Sequence, residues 1–243
     1  MKKEQLTIAK IADKIKKYEK SGEVCTTNFL DPAESIDAEP IVRKYTNCFF
    51  GGYENAERKI LIIGSDNTEI AKEDIEIITI ESNKLLSHRE ILGSLLGLGI
   101  NRDVIGDILI NGLRADVFIL KEISKYVIQN LERIGKEKVK IYKNSYENLI
   151  EIKDSFKEIK TTVASLRLDA IISASTGVSR EVSSKMIENE KVKLNHKVIT
   201  NSSKQVKEGD KISVRGFGRI ELSEILGETR KERIRVVIKK SSN

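Results

Sequence analysis

Arg167-Leu-Asp-Ala-Ile-Ile-Ser-Ala-Ser-Thr-Gly-Val-Ser-Arg-Glu-Val-Ser-Ser-Lys-Met-Ile187 reads as two short helices meeting at Gly177-Val178. Gly177 suits the left-handed residue that closes the first helix, and Ser179 the N-cap that opens the second. Leu168, Ile171 and Ile172 give the first helix an apolar face; Val182, Met186 and Ile187 do the same for the second. Downstream, Lys191-Val-Lys-Leu194 is strand-like, Asn195-His196 is a turn, and Lys197-Val-Ile199 is a second strand. Val206 to Val214 places Gly209-Asp210 in a turn before another strand.

The charge follows the same division. Residues 161–243 hold 17 Lys+Arg and 10 Asp+Glu, a net of +7, while residues 1–160 hold 26 basic and 27 acidic side chains, a net of −1. A basic module on a neutral body points to a polyanion partner, or to lysines that only coat a solvated face. Phe217 is the sole aromatic of 161–243. Single-strand binders stack bases on several aromatics, so the composition favours structured RNA read through shape and backbone charge.

Working towards the N-terminus, residues 75–143 alternate as strand (75–80), helix (87–96), strand (107–110), an Asn111-Gly112 turn, strand (115–120), helix (122–131) and strand (139–142). This is the βαββαβ order of ferredoxin-like domains. RNA-recognition domains share it, but the third strand carries a single aromatic, Phe118, which is read as core. Gly93 and Gly97 are expected to allow close helix packing, with a C-cap at Gly97 or Gly99. Further upstream, Ile8, Ile11, Ile15 and Tyr18 form an amphipathic stripe over 4–20. Asp31-Pro-Ala-Glu34 opens a helix that Pro40 should end or kink near Ala38. Asn47–Phe50 and Arg58–Ile63 are expected as strands flanking Gly51-Gly52. The fold class is α+β: an N-terminal α/β domain (1–72), a ferredoxin-like middle domain (73–160) and a C-terminal domain (161–243).

No run of eighteen apolar residues occurs, so no transmembrane helix and no membrane partner are expected. Two separated cysteines and two histidines argue against a disulfide framework or a Cys/His metal site, and a reducing cytoplasm is the natural compartment. Phosphate-binding and dinucleotide-binding Gly loops are missing, so no cofactor is expected.

Arg-Leu-Asp at 167–169, Ser-Arg at 179–180, V-x-L-N ending at Asn195 and V-x-x-G-D-x-I-x-V at 206–214 together resemble an S4 RNA-binding domain, the αL type. The family's Gly after the turn Asn is His196 here. Phe29-Leu-Asp-Pro32, Phe50-Gly-Gly-Tyr53 with Ala56-Glu-Arg58, Leu92 to Ile100 with Gly106-Asp-Ile108, and Arg215-Gly-Phe-Gly-Arg219 extend the resemblance to YlmH-type bacterial S4 proteins. That resemblance implies ribosome-associated quality control or a cell-division role, with ribosomal RNA, tRNA and the large ribosomal subunit as partners and no DNA. The expected RNA contacts are Arg167, Ser179, Arg180, Lys185, Lys191, Lys193, His196 and Lys197. Arg180 is expected to stand exposed at a helix start, where a guanidinium and free N–H groups suit a phosphate. Asp169 is read as structural. No enzyme is expected; the alternative is an S4-bearing pseudouridine synthase or methyltransferase whose site goes unrecognised, or an adaptor whose N-terminal helices recruit a protein.

Overall fold

The computed structural model describes residues 3–151 and 156–241. The chain divides into two compact units, Met1–Ile152 and Lys153–Asn243. The first unit runs α1 (Lys3–Ser21), β1 (Cys25–Thr26), α2 (Pro32–Val42), β2 (Asn47–Phe50), β3 (Ile60–Ile63), α3 (Thr68–Asp74), β4 (Ile75–Ser82), α4 (His88–Gly97), β5 (Ile105–Asn111), β6 (Arg114–Leu120), α5 (Lys121–Asn130), β7 (Arg133–Ile134) and β8 (Glu137–Asn144). Its larger sheet has the order β5-β6-β4-β8-β7, with every pairing antiparallel. The order inserts β6 between β4 and β5, which is the interleaving of a split βαβ fold. A smaller sheet, β1-β3-β2, carries α1 and α2. Ile11 and Ile15 of the N-terminal stripe are buried there, with Leu30, Ala38, Val42, Leu61 and Ile63.

Residues on either side of position 72 share one core. Phe29, Ile60 and Ile62 belong to the same buried cluster as Ile77, Ile91 and Phe118. Beside that boundary, Asn67 caps α3 through Glu69 N, and Ala71 lies in that core. Gly52 shows why the seam is tight. It has φ +101°, and an added Cβ would lie 2.3 Å from the Phe118 ring. Tyr53 stacks on the same ring at 5.3 Å.

Two local expectations need correction. Asp31 and Glu34 form the reciprocal capping box, but α2 continues through Pro40 to Val42. Pro40 lacks the N–H that would reach Ile36, a solvent-exposed residue whose carbonyl can bond water, while Ala38 and Val42 are buried and hold the last turn. Gly93 does not mediate close packing, because nothing lies within 4 Å of a Cβ built there. Gly99, at φ +81°, takes the left-handed position after α4. Gly93→Ala is therefore expected to stabilise the protein by about 0.5–1 kcal/mol through helix propensity. A fall in melting temperature would show that the site is crowded.

The second unit comprises β9 (Phe156–Val163), α6 (Leu168–Thr176), α7 (Arg180–Glu188), β10 (Val192–Leu194), β11 (Lys197–Val198), β12 (Lys211–Val214), β13 (Gly218–Glu228) and β14 (Ile234–Ser241). They form an antiparallel sheet, β11-β10-β12-β13-β14-β9. The 160/161 boundary read from the sequence falls inside β9, which pairs with β14 from Phe156–Ser241 to Val163–Ile234. Leu168, Ile171, Ile172 and Ile187 of the two helices pack on Val192, Leu194, Ile212, Val214, Ile220 and Ile238 of the sheet. Alternation then turns the intervening residues to the face these helices do not cover. Among the described residues no helix is long and apolar enough to cross a membrane.

Candidate nucleic-acid interface

The helix pair is built around one carboxylate. Arg167 sits at the N-cap of α6 with extended backbone, and Asp169 lies buried in the first turn. Arg167 reaches Asp169 through Nε and Nη2, at 3.2 and 3.1 Å. Arg180, the first residue of α7, places Nη2 3.2 and 3.1 Å from the two oxygens of the same carboxylate. Burial alone would push the Asp169 pKa up; the two guanidinium bonds outweigh it and hold the carboxyl below its ordinary value. The Asp is thus structural, a staple across the joint. The Arg180 side chain is 49% exposed, yet it is also a partner of that buried charge, so its removal carries a stability cost that the sequence did not reveal.

The joint itself follows from local chemistry. Gly177, at φ +79°, closes α6, and Ser179 Oγ accepts from Val182 N to open α7. Ser173 donates to the Val178 carbonyl at 2.8 Å, tying the linker down. With Asp169 engaged, Arg167 keeps its Nη1 donors and Arg180 its Nε and Nη1 donors outside any bond among the described residues. Two guanidiniums are thereby held at fixed positions with donors still available, which is the arrangement that grips a phosphate. Lys185 is engaged differently: its Nζ lies 2.7 Å from Glu181 on the same helix face, with both side chains exposed.

Asn195 and His196 both have positive φ, +47° and +66°, so the hairpin between β10 and β11 is a type I′ turn with His in the place usually given to Gly. Asn195 explains why the Asn and the Gly-Asp segment go together. Its side chain donates to Asp210 at 2.8 Å and accepts from Lys211 N at 2.9 Å, while Gly209 takes φ +81°. The eight sequence-predicted residues do not form one cluster. Arg167, Ser179 and Arg180 meet at the helix joint, with Lys185 further along α7. Lys191 and Lys193 flank the buried Val192 and so occupy the other sheet face. His196 and Lys197 are at the hairpin end.

Three family models match: "YlmH, N-terminal" over residues 3–68, "Putative RNA-binding domain in YlmH" over 71–148, and the S4 domain over 166–212. The ribosome-associated protein quality control protein P2 of Bacillus subtilis (strain 168) is 33% identical over 227 residues, spanning 88% of this chain and 86% of its own length. The chain belongs to the YlmH family. The solved structure of the cell division protein ylmH from Streptococcus pneumoniae has a similar fold, with a TM-score of 0.54 at 22% identity, over 62% of this chain and 96% of that one. RNA binding is the activity these S4 and YlmH domains carry.

Inside the YlmH-type first unit, the segments that carried the resemblance do structural work. Asp107 accepts from the Tyr53 hydroxyl (2.9 Å), Glu57 N (2.7 Å) and Arg58 N (3.1 Å). Burial pushes its pKa up despite these bonds. Asp116 is fully buried and accepts from Thr79, Arg114 and Ile150 N. Both carboxylates are engaged by fixed donors, which suits anchoring rather than proton transfer. No group of His, Cys, Asp and Glu able to hold a metal ion occurs among the described residues.

Proposed function

We propose that the protein binds structured RNA on the large ribosomal subunit, at ribosomal RNA and the tRNA beside it, through its second unit and without catalysis. The observation that carries this reading is the pair Arg167 and Arg180, fixed on Asp169 with donors left over for phosphate. Ser179, Lys185, Lys191, Lys193, His196 and Lys197 are the flanking contacts. The Bacillus relative, by its name a ribosome-associated quality-control protein, supports the ribosomal assignment. The net charge of +7 in residues 161–243 supplies long-range attraction.

The test is sedimentation of the purified protein with isolated ribosomal subunits. Comigration with the large subunit at low salt is expected, with release as salt rises, because phosphate contacts give up their counterions. Arg180→Gln should weaken association by about 1–3 kcal/mol, the range for hydrogen bonds to a charged group. Protein that stays at the top of the gradient with every subunit preparation would overturn the ribosomal reading. A chemical change in the bound RNA would overturn the non-catalytic one.

A further inference from the structure

The cations of the second unit are not equally available. Arg167 and Arg180 are partly spent on Asp169, and Lys185 on Glu181. By contrast Lys191, Lys193 and Arg215 have no acidic partner among the described residues. Strand register puts these three on one surface, together with Arg219. Lys193 pairs with Ser213, and Ser213 pairs with Arg219 on the next strand. Val192 pairs with Val214, and Arg215 N donates to the Lys191 carbonyl at 2.9 Å, so Lys191 and Arg215 extend the ladder by one step. Lys211 lies two residues from Ser213 and therefore on the same face, but it stands opposite Glu221, which offsets its charge. The buried residues between them, Val192, Leu194, Ile212, Val214 and Ile220, all point to the face that carries α6 and α7.

Directly opposed side chains on a sheet stand about 5 Å apart and diagonal ones about 7–8 Å. Lys191, Lys193, Arg215 and Arg219 thus form a compact cationic field with the Ser213 hydroxyl in its middle. All four are exposed. Lys239, on the same face, is different: its two cross-strand partners are Glu221 and Glu158, which cancel its charge locally. We propose that this face of the sheet, opposite the helix pair, is a second phosphate-binding surface that takes the backbone of base-paired RNA. No aromatic side chain is carried at these positions, so bases have nothing to stack on and backbone recognition remains. The proposal rests on the RNA-binding reading above but places Lys191 and Lys193, flanking contacts there, on a surface separate from the Arg167–Arg180 pair. It implies that RNA contacts the unit from both sides of the sheet.

The full chain carrying K191Q, K193Q, R215Q and R219Q is compared with wild type for binding a labelled RNA hairpin and a single-stranded oligouridylate, by anisotropy over a series of KCl concentrations. The variant is expected to lose at least tenfold in hairpin affinity. Its slope of log affinity against log salt should fall by about 3.6, at roughly 0.9 for each of four lost phosphate contacts on a duplex. Lys239→Gln should change neither. A second readout avoids any question of folding: in wild type, hairpin RNA should protect Lys191 and Lys193 from acetylation, read by mass spectrometry against Lys16 on α1. Unchanged affinity and slope, or no protection, while wild type still binds the hairpin overturns the second surface and leaves RNA binding intact. Preference of the field for oligouridylate overturns its assignment to base-paired RNA. Wild type that binds no RNA defeats both readings together.

Discussion

Arg58→Leu is expected to destabilise the first unit by about 3–5 kcal/mol and to lower its melting temperature by about 10 °C. Arg58 is buried, and its guanidinium donates to the Ile105 carbonyl and the Phe29 carbonyl, both at 2.9 Å. A third, longer bond reaches the Arg102 carbonyl at 3.4 Å. Leucine fills much of the space but takes the guanidinium donor from the buried Phe29 carbonyl, a loss of about 1–3 kcal/mol, and leaves the Ile105 carbonyl only its second side-chain donor, Arg102 Nη1. Burial lowers the Arg58 pKa, and four surrounding carboxylates, Asp31, Glu34, Asp107 and Asp103, raise it again. Losing the cation therefore also leaves those acids in mutual repulsion. Arg58→Lys should recover only part of the loss, since an ammonium cannot fork to two carbonyls as a planar guanidinium does. Thermal melting checks this. A drop under 1 kcal/mol for Arg58→Leu would mean that water replaces the guanidinium.

The same residue illustrates what could be read from the chain and what could not. Ala56-Glu57-Arg58 and Gly106-Asp107 were visible as motifs, but their meeting across about fifty positions was not. Gly52 is similar: the sequence shows a glycine pair, and only the fold shows that Phe118 occupies the space of its Cβ. Signals that act over a few residues were legible. The capping box at Asp31 and Glu34, the caps at Gly177 and Ser179, and the alternation of strands and helices over 75–143 arise from local hydrogen bonding and periodicity. Pairing between distant strands was not. β9 and β14 close the second sheet from its two ends, and nothing local in Phe156–Val163 announces that partner. Register was equally hidden. Lys193 stands beside the hairpin in the sequence, whereas Arg219, two strands away on the same row, stands there only within Arg215-Gly-Phe-Gly-Arg219. The K-V-K-L and K-I-S-V-R alternations are the signal that could have placed these cations on one face.

The helix joint yields the other large effect. A double variant Arg167→Met, Arg180→Met leaves Asp169 buried with neither guanidinium. Breaking a buried pair from one side typically costs about 3–5 kcal/mol, because an uncompensated charge stays in the interior. Here the arginine side chains are 37% and 49% exposed, so water already screens part of the interaction. Discounted for that, the expected loss is about 2–3 kcal/mol. In a unit of this size that is a fall of about 10–20 °C. The pH dependence identifies the cause. In wild type the carboxyl is held below its ordinary pKa, so the pair contributes stability above the unfolded carboxylate value and loses it as pH falls through the lowered one. In the variant only desolvation remains, and the native carboxyl should titrate above its ordinary value. Acid then relieves the variant while it weakens the wild type, and the gap between their melting temperatures should close as pH drops below the usual carboxylate range. Asp169→Asn in the double-variant background should recover stability at neutral pH, since no charge is left stranded. A gap that stays constant from neutral to acid pH would show that the arginines support the joint through packing of their stems and not through Asp169.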